Sequence, residues 1–156
     1  MRLILILPVA ALAGCSSPAF QGVFGPAPPV PDTVPAPMPR AAPPPPETAV
    51  TVEEFDTTSP ADRAAAVAPA TAVGARVLGT TIAALGSPAE PGVWLKTPLV
   101  TSLTPGQVDY QGMTINLDLR PSGGAAGSGS QISLAAMRLI GAPLTSLPEL
   151  TVRAVP

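Results

Sequence analysis

Residues 18–46 hold twelve of the chain's 23 prolines and end in Pro43-Pro44-Pro45-Pro46. Proline has no N–H to donate and fixes φ, so neither helix nor sheet runs through such a stretch, and it favours extended, solvated polyproline II. Any core must therefore be built from the residues that follow. At about 3.1 Å per residue, some thirty residues reach on the order of 90 Å when fully extended. The segment reads as a disordered, proline-rich linker, a standoff between whatever lies at its two ends. Pro26–Pro29 and Pro28–Pro31 also fit P-x-x-P, a ligand pattern for aromatic-lined grooves. Such matches arise freely in proline-rich text, so the spacer reading is preferred.

Ahead of the prolines, Arg2 precedes an apolar run from Leu3 to Leu12 that contains Pro8. About ten residues at roughly 1.5 Å each cover half of a roughly 30 Å bilayer core, too little for a span and enough for a secretory signal. The run closes on Leu12-Ala13-Gly14-Cys15, and Cys15 is the only cysteine in the chain. These four positions resemble the lipobox of bacterial lipoproteins throughout. The resemblance implies diacylglyceryl transfer to the Cys15 sulfur, signal cleavage between Gly14 and Cys15, and acylation of the freed amine with a palmitate-type chain. Each buried CH2 contributes about 0.8 kcal/mol, so three chains hold firmly where one is marginal. Ser16 stands where retention at the inner membrane uses Asp. The resemblance thus implies an outer-membrane anchor with the body in the periplasm.

Composition agrees with an exported product. Without residues 1–14 the chain carries seven basic and ten acidic side chains, a net charge near −3. That balance provides no electrostatic footprint for nucleic acid and no polybasic stretch for anionic lipid. With Cys15 lipidated there is no thiol left for a disulfide.

Order is expected from residue 47 on, first as a lead-in over 47–75 and then as a small β-rich domain over 76–156. Thr48–Val52 reads as a short strand. Ser59-Pro60-Ala61-Asp62 is a helix start, with Ser59 as N-cap, Pro60 at N1 and Asp62 in the first turn. Ala61–Ala68 supports about two turns before Pro69. Val77–Leu85 is β-branched and small, a strand closed by Gly86-Ser87-Pro88 and Pro91-Gly92. Val93–Val100 reads as a strand carrying Trp94, with Pro98 marking an edge or bulge. Gln107–Tyr110 and Met113–Arg120 flank Gln111-Gly112 as a hairpin. In its second arm Met113, Ile115, Leu117 and Leu119 alternate with Thr114, Asn116, Asp118 and Arg120, the period of a strand with one face buried. Ser122–Ser130 is a glycine-rich loop. Ser133 caps a helix over Leu134–Ile140 that stops at Gly141, and Leu150–Val155 is a last strand. No internal repeat is visible. The fold class is mostly β, with one or two short helices and a small, marginal core.

The chain has no histidine. Without imidazole or a free thiol there is no Ser-His or Cys-His dyad and no zinc-type ligand set, so no metal and no cofactor is expected. Lys96, the only lysine, lies in no activating motif and reads as a solvated or strand-edge charge. Carboxylates remain: Glu53, Glu54 and Asp56 before the first helix, then Glu90, Asp109, Asp118 and Glu149. Two carboxylates alone suffice for glycoside cleavage. Nothing in their spacing singles out a catalytic pair; Asp109 and Asp118, on the two arms of the hairpin, could approach each other, but both sit where a strand faces water. Asp118 beside Arg120 is equally read as a surface ion pair worth little. The glycine loop lacks the G-x-x-x-x-G-K of a phosphate cradle.

Two further resemblances bear on function. Glu54-Phe55-Asp56-Thr57-Thr58, Leu78-Gly79-Thr80-Thr81-Ile82-Ala83, Pro88-Ala89-Glu90-Pro91-Gly92 and Trp94-Leu95-Lys96-Thr97-Pro98-Leu99-Val100 resemble a family of small alphaproteobacterial proteins often labelled D-galactarate dehydratase. So does the tail from Ile132-Ser133-Leu134-Ala135-Ala136 to Leu147-Pro148-Glu149-Leu150. The label implies a sugar-acid lyase, whose chemistry needs a base and commonly a metal. Over about 45 residues, Leu117-Asp118-Leu119-Arg120-Pro121, Gln131-Ile132-Ser133-Leu134 and Ile140-Gly141 are similar to the rare lipoprotein A and expansin group. That similarity implies a degenerate double-psi β-barrel. Where the group carries its catalytic Asp this chain has Leu119, and Asp118 faces the other side of the strand. The expectation is an outer-membrane lipoprotein whose barrel is a non-catalytic binding or structural module, with peptidoglycan or another envelope protein as partner. The alternative is an enzyme, either the labelled dehydratase or a carboxylate-dependent glycan-cleaving enzyme.

Overall fold

The computed structural model of the chain describes residues 42–69 and 74–156. Three short helices and six strands follow in the order α1 (Val52–Phe55), α2 (Pro60–Val67), β1 (Arg76–Leu85), β2 (Trp94–Thr97), β3 (Thr104–Tyr110), β4 (Met113–Pro121), β5 (Ser130–Ile132), α3 (Leu134–Leu139) and β6 (Glu149–Ala154). The strands close into a barrel in the order β1-β5-β2-β4-β3-β6. The expected mostly-β fold with a small barrel and few short helices is therefore what the chain adopts. The signal segment and the linker through residue 41 lie outside the described residues. The linker's last residues do not: Ala42 is buried and the Pro43 carbonyl accepts from the Thr57 hydroxyl.

Alternation places the core. Ile115, Leu117 and Leu119 of β4 point inward and meet Leu95, Val108, Ile132, Leu150, Val152 and Ala83 from the other five strands. Each such side chain contributes about 1.5–3 kcal/mol on burial. Met113, which continues the same alternation, is exposed at the hairpin end, where the barrel no longer covers it. The hairpin turns at Gln111 and Gly112, both with positive φ, the tight turn that matches strand twist. Leu78 is the extra residue of a bulge in β1, where the register against β6 shifts between Val77 and Gly79.

The connectivity has an internal two-fold. β4 lies between β2, to which it runs parallel, and β3, to which it runs antiparallel. β1 lies in the same way between β5, parallel, and β6, antiparallel. The halves β1–β3 and β4–β6 thus trace equivalent paths. Strand directions place the 86–93 loop, the hairpin turn and α3 at one end of the barrel. The 98–103 and 122–129 loops lie at the other.

Several local expectations are corrected. Thr48–Val52 is not a strand. Thr51 caps α1 in a capping box with Glu54, and that reciprocal pair of bonds outweighs the β-branched residues around it. The strand expected over Val93–Val100 ends at Thr97, because Pro98 has no N–H for the ladder. β3 begins at Thr104, three residues before the expected arm. Ser130–Ile132, assigned to loop and helix lead-in, is a strand wedged between β1 and β2. The two longer helices start as expected. The Ser59 hydroxyl accepts from Asp62 N, and the Ser133 hydroxyl accepts from Ala136 N.

The lead-in packs on the barrel. Ala66 of α2 is fully buried. The Asn116 amide on β4 donates to the carbonyls of Ala65 and Ala68 at 3.2 and 2.9 Å, satisfying the end of α2.

Candidate functional site

The same alternation that sends Leu95, Thr97, Leu117 and Leu119 inward sends Trp94, Lys96, Asp118 and Arg120 outward from two neighbouring strands. β2 and β4 run parallel in a register that sets Trp94 beside Asp118 and Lys96 beside Arg120. The 86–93 loop folds down over this face and brings Glu90 to it. The Glu90 carboxylate accepts from Lys96 Nζ at 3.1 Å and from an Arg120 guanidinium nitrogen at 2.7 Å. Its backbone carbonyl accepts from Trp94 Nε1 at 3.3 Å.

The two cations also lie against the indole, Lys96 Nζ at 5.1 Å and the Arg120 guanidinium at 5.3 Å from its centroid. Cations at that distance are drawn to the ring face. Trp94 is consequently fully buried although it lies outside the barrel. Gly86 lies against the ring edge, where a Cβ would come within 2.5 Å of the indole. An indole so enclosed braces the 86–93 loop and has no free face on which a sugar or base could stack.

Asp118 lies at the edge of this cluster. Its nearest cation is Arg120 at 3.9 Å, and Arg120 makes its shorter contact with Glu90. Burial pushes the Asp118 carboxyl above the usual carboxylate range, with the Arg120 charge pulling the other way. A carboxyl held partly out of water in this way is the kind of group that can serve as a general acid.

Asp109 and Asp118, the two acids that the hairpin could have brought together, stand apart. Asp109 faces Thr114 and Asp118 faces Pro105 in the hairpin ladder. Four residues of strand separate them, roughly 14 Å at about 3.4 Å per residue. Asp109 accepts from the Thr114 hydroxyl at 2.8 Å and lies 3.7 Å from Arg153. Leu119, at the position where the resembled group has its catalytic Asp, is fully buried in the barrel.

Of the other sequence candidates, Glu53, Glu54 and Asp56 have structural partners. Asp56 lies between Arg63 at 3.1 Å and Arg138 at 3.0 Å, with Glu53 3.8 Å from Arg138. Glu54 accepts from the backbone N–H of Val50 and Thr51. These bonds, and then the Thr51 hydroxyl, hold its carboxyl below the ordinary value. Glu149 is exposed at the start of β6, and residues 122–128 of the glycine-rich loop are all exposed. Gly14 and Cys15 lie outside the described residues.

Sequence reasoning missed the Trp94–Lys96–Arg120–Glu90 cluster because its members come from a loop and two strands that become neighbours only when the barrel closes. The one local signal was Lys96, placed two residues from Trp94 on a strand and so on the same face. Among the described residues no group of three or more His, Cys, Asp or Glu side chains could hold a metal ion. No helix among them is long and apolar enough to cross a membrane. No family model matches this chain, and no curated protein or solved structure matches it.

Proposed function

We propose that the chain is an outer-membrane lipoprotein, anchored through acylated Cys15, whose barrel is a non-catalytic binding or structural module on the periplasmic face of the envelope. The observation that carries the reading is Leu12-Ala13-Gly14-Cys15, a full lipobox that uses the chain's only cysteine behind a short apolar run. The proline-rich stretch that follows suits a standoff. The barrel's acids support the non-catalytic part: Asp56 and Glu90 each hold two cations, and Asp109 and Asp118 stand far apart. Peptidoglycan or another envelope protein is the partner this placement favours. Incubating the chain with dye-labelled sacculi tests the module reading. The expected result is co-sedimentation with no dye release above a heat-treated control.

One observation favours a second reading, a glycan-cleaving enzyme. Asp118 has the raised proton affinity that a general acid needs, beside a guanidinium that could steady an anion. On that reading the same assay releases dye, and Asp118→Ala abolishes the release while Asp109→Ala leaves it.

A further inference from the structure

We propose that residues 42–69 form a releasable strap, a unit that opens from the closed barrel as a whole, with the buried Asp56 carboxylate as its latch. The strap has little apolar attachment. α1 buries no residue and α2 buries only Ala66; outside the helices only Ala42 and Thr58 are buried. Polar contacts hold it at two places. At one, the Asp56 side chain is 3% exposed, bonded to Arg138 of α3 at 3.0 Å, to Arg63 within the strap at 3.1 Å and to the Thr58 N–H at 3.3 Å. At the other, Asn116 of β4 caps the last turn of α2.

The six strands of the barrel, by contrast, pair only with one another, and the ring closes without the strap. A segment tied by a few polar contacts and few buried methyls opens at lower free energy than a closed ladder. Opening also leaves no buried group stranded. The Gln107 amide goes on donating to Asn116 Oδ1 at 3.0 Å on the barrel face, and Asp56 can keep Arg63 while both return to water. The two arrangements are each self-consistent, the requirement for a two-state device.

Opening frees 28 residues of chain, up to roughly 90 Å of extra reach at about 3.3 Å per residue. It also uncovers the outer face of β4 beneath α2. The gain in leash length rests on the proposed anchor at Cys15; the opening itself does not. The strap is thus the element through which a bound partner or a pull along the tether would change how far the barrel reaches.

Hydrogen exchange followed by mass spectrometry on the full chain in detergent micelles tests this. In the unsubstituted protein, amides bonded within the strap (Phe55, Asp56 and Arg63 N–H) are expected to exchange faster than the ladder amides of β3 and β4. Asp56→Asn and Arg138→Gln should each accelerate exchange in α1 and α2 by the same factor, on the order of a hundredfold, with β1–β6 unchanged within about twofold. Equal acceleration in strap and barrel would mean one cooperative unit, and acceleration confined to the residues next to Asp56 would mean local fraying. Either result overturns the proposal, as does strap protection equal to the ladder's in the unsubstituted chain. Failure of lipid attachment at Cys15 would leave all of these readings intact.

Discussion

A methyl group on Gly106 would stand 2.8 Å from the carbonyl oxygen of Arg153 and run into the Leu119 side chain. β3 approaches its neighbours this closely only because the position is bare. Gly106→Ala is therefore expected to destabilise the barrel by about 1–3 kcal/mol, read as a lower urea midpoint with an unchanged slope. Asp118 makes the opposite prediction. Burial raises its carboxyl above the ordinary value of 3.8, so the folded state binds this proton more tightly than the unfolded chain. Its contribution is fully present below about pH 3.8 and lost as pH rises through the higher folded value. Asp118→Asn should then raise stability near pH 7, by about 1 kcal/mol at most, and the gain should vanish near pH 3. Urea titrations of the two proteins at both pH values check this; a loss at pH 7 would mean that the contact with Arg120 outweighs burial.

At the scale of elements, one hydroxyl joins two of them. Ser133 Oγ accepts from Trp94 N at 3.1 Å and from Ala136 N at 3.2 Å, so the cap of α3 also holds the start of β2. Ser133→Ala removes the cap and leaves a buried N–H on Trp94 without its partner, together roughly 2–4 kcal/mol. Thermal melts of the variant should show the loss, and a shift below about 0.5 kcal/mol would show that water takes the hydroxyl's place. Both serine caps were legible from sequence because capping is local: a hydroxyl, two or three residues, a helix. The hairpin was legible for the same reason, through period two on one side of Gln111-Gly112. β5 was not. Its three residues carry no period, and they are a strand only because β1 and β2 lie on either side. Glu90 was equally opaque, since its role depends on cations six and thirty residues away.

At the scale of the molecule, the strands close into one ring, yet β5 pairs only Ala83–Leu85 of β1 and β2 only Asp118–Pro121 of β4, so each of these long strands extends beyond its parallel partner. On the proposed module reading, a partner would meet the loops at the barrel's two ends, these strand extensions and the outer face. That face is covered unequally: α2 caps β4, whereas β1, the equivalent strand of the other half, leaves Val77 and Ile82 exposed. The two-fold in the connectivity left no repeat in the sequence because the halves meet different demands. The 98–103 turn occupies in one half the place that α3 and its following loop take in the other. We propose that this barrel hangs from a lipid on Cys15. The intact mass and N-terminal peptide of the full chain, extracted from the outer membrane in detergent, test it most directly. The expected product is a chain that begins at Cys15 and carries a diacylglyceryl group and an amide-linked acyl chain. A chain that retains residues 1–14, or one that begins elsewhere with Cys15 as a free thiol, would contradict it.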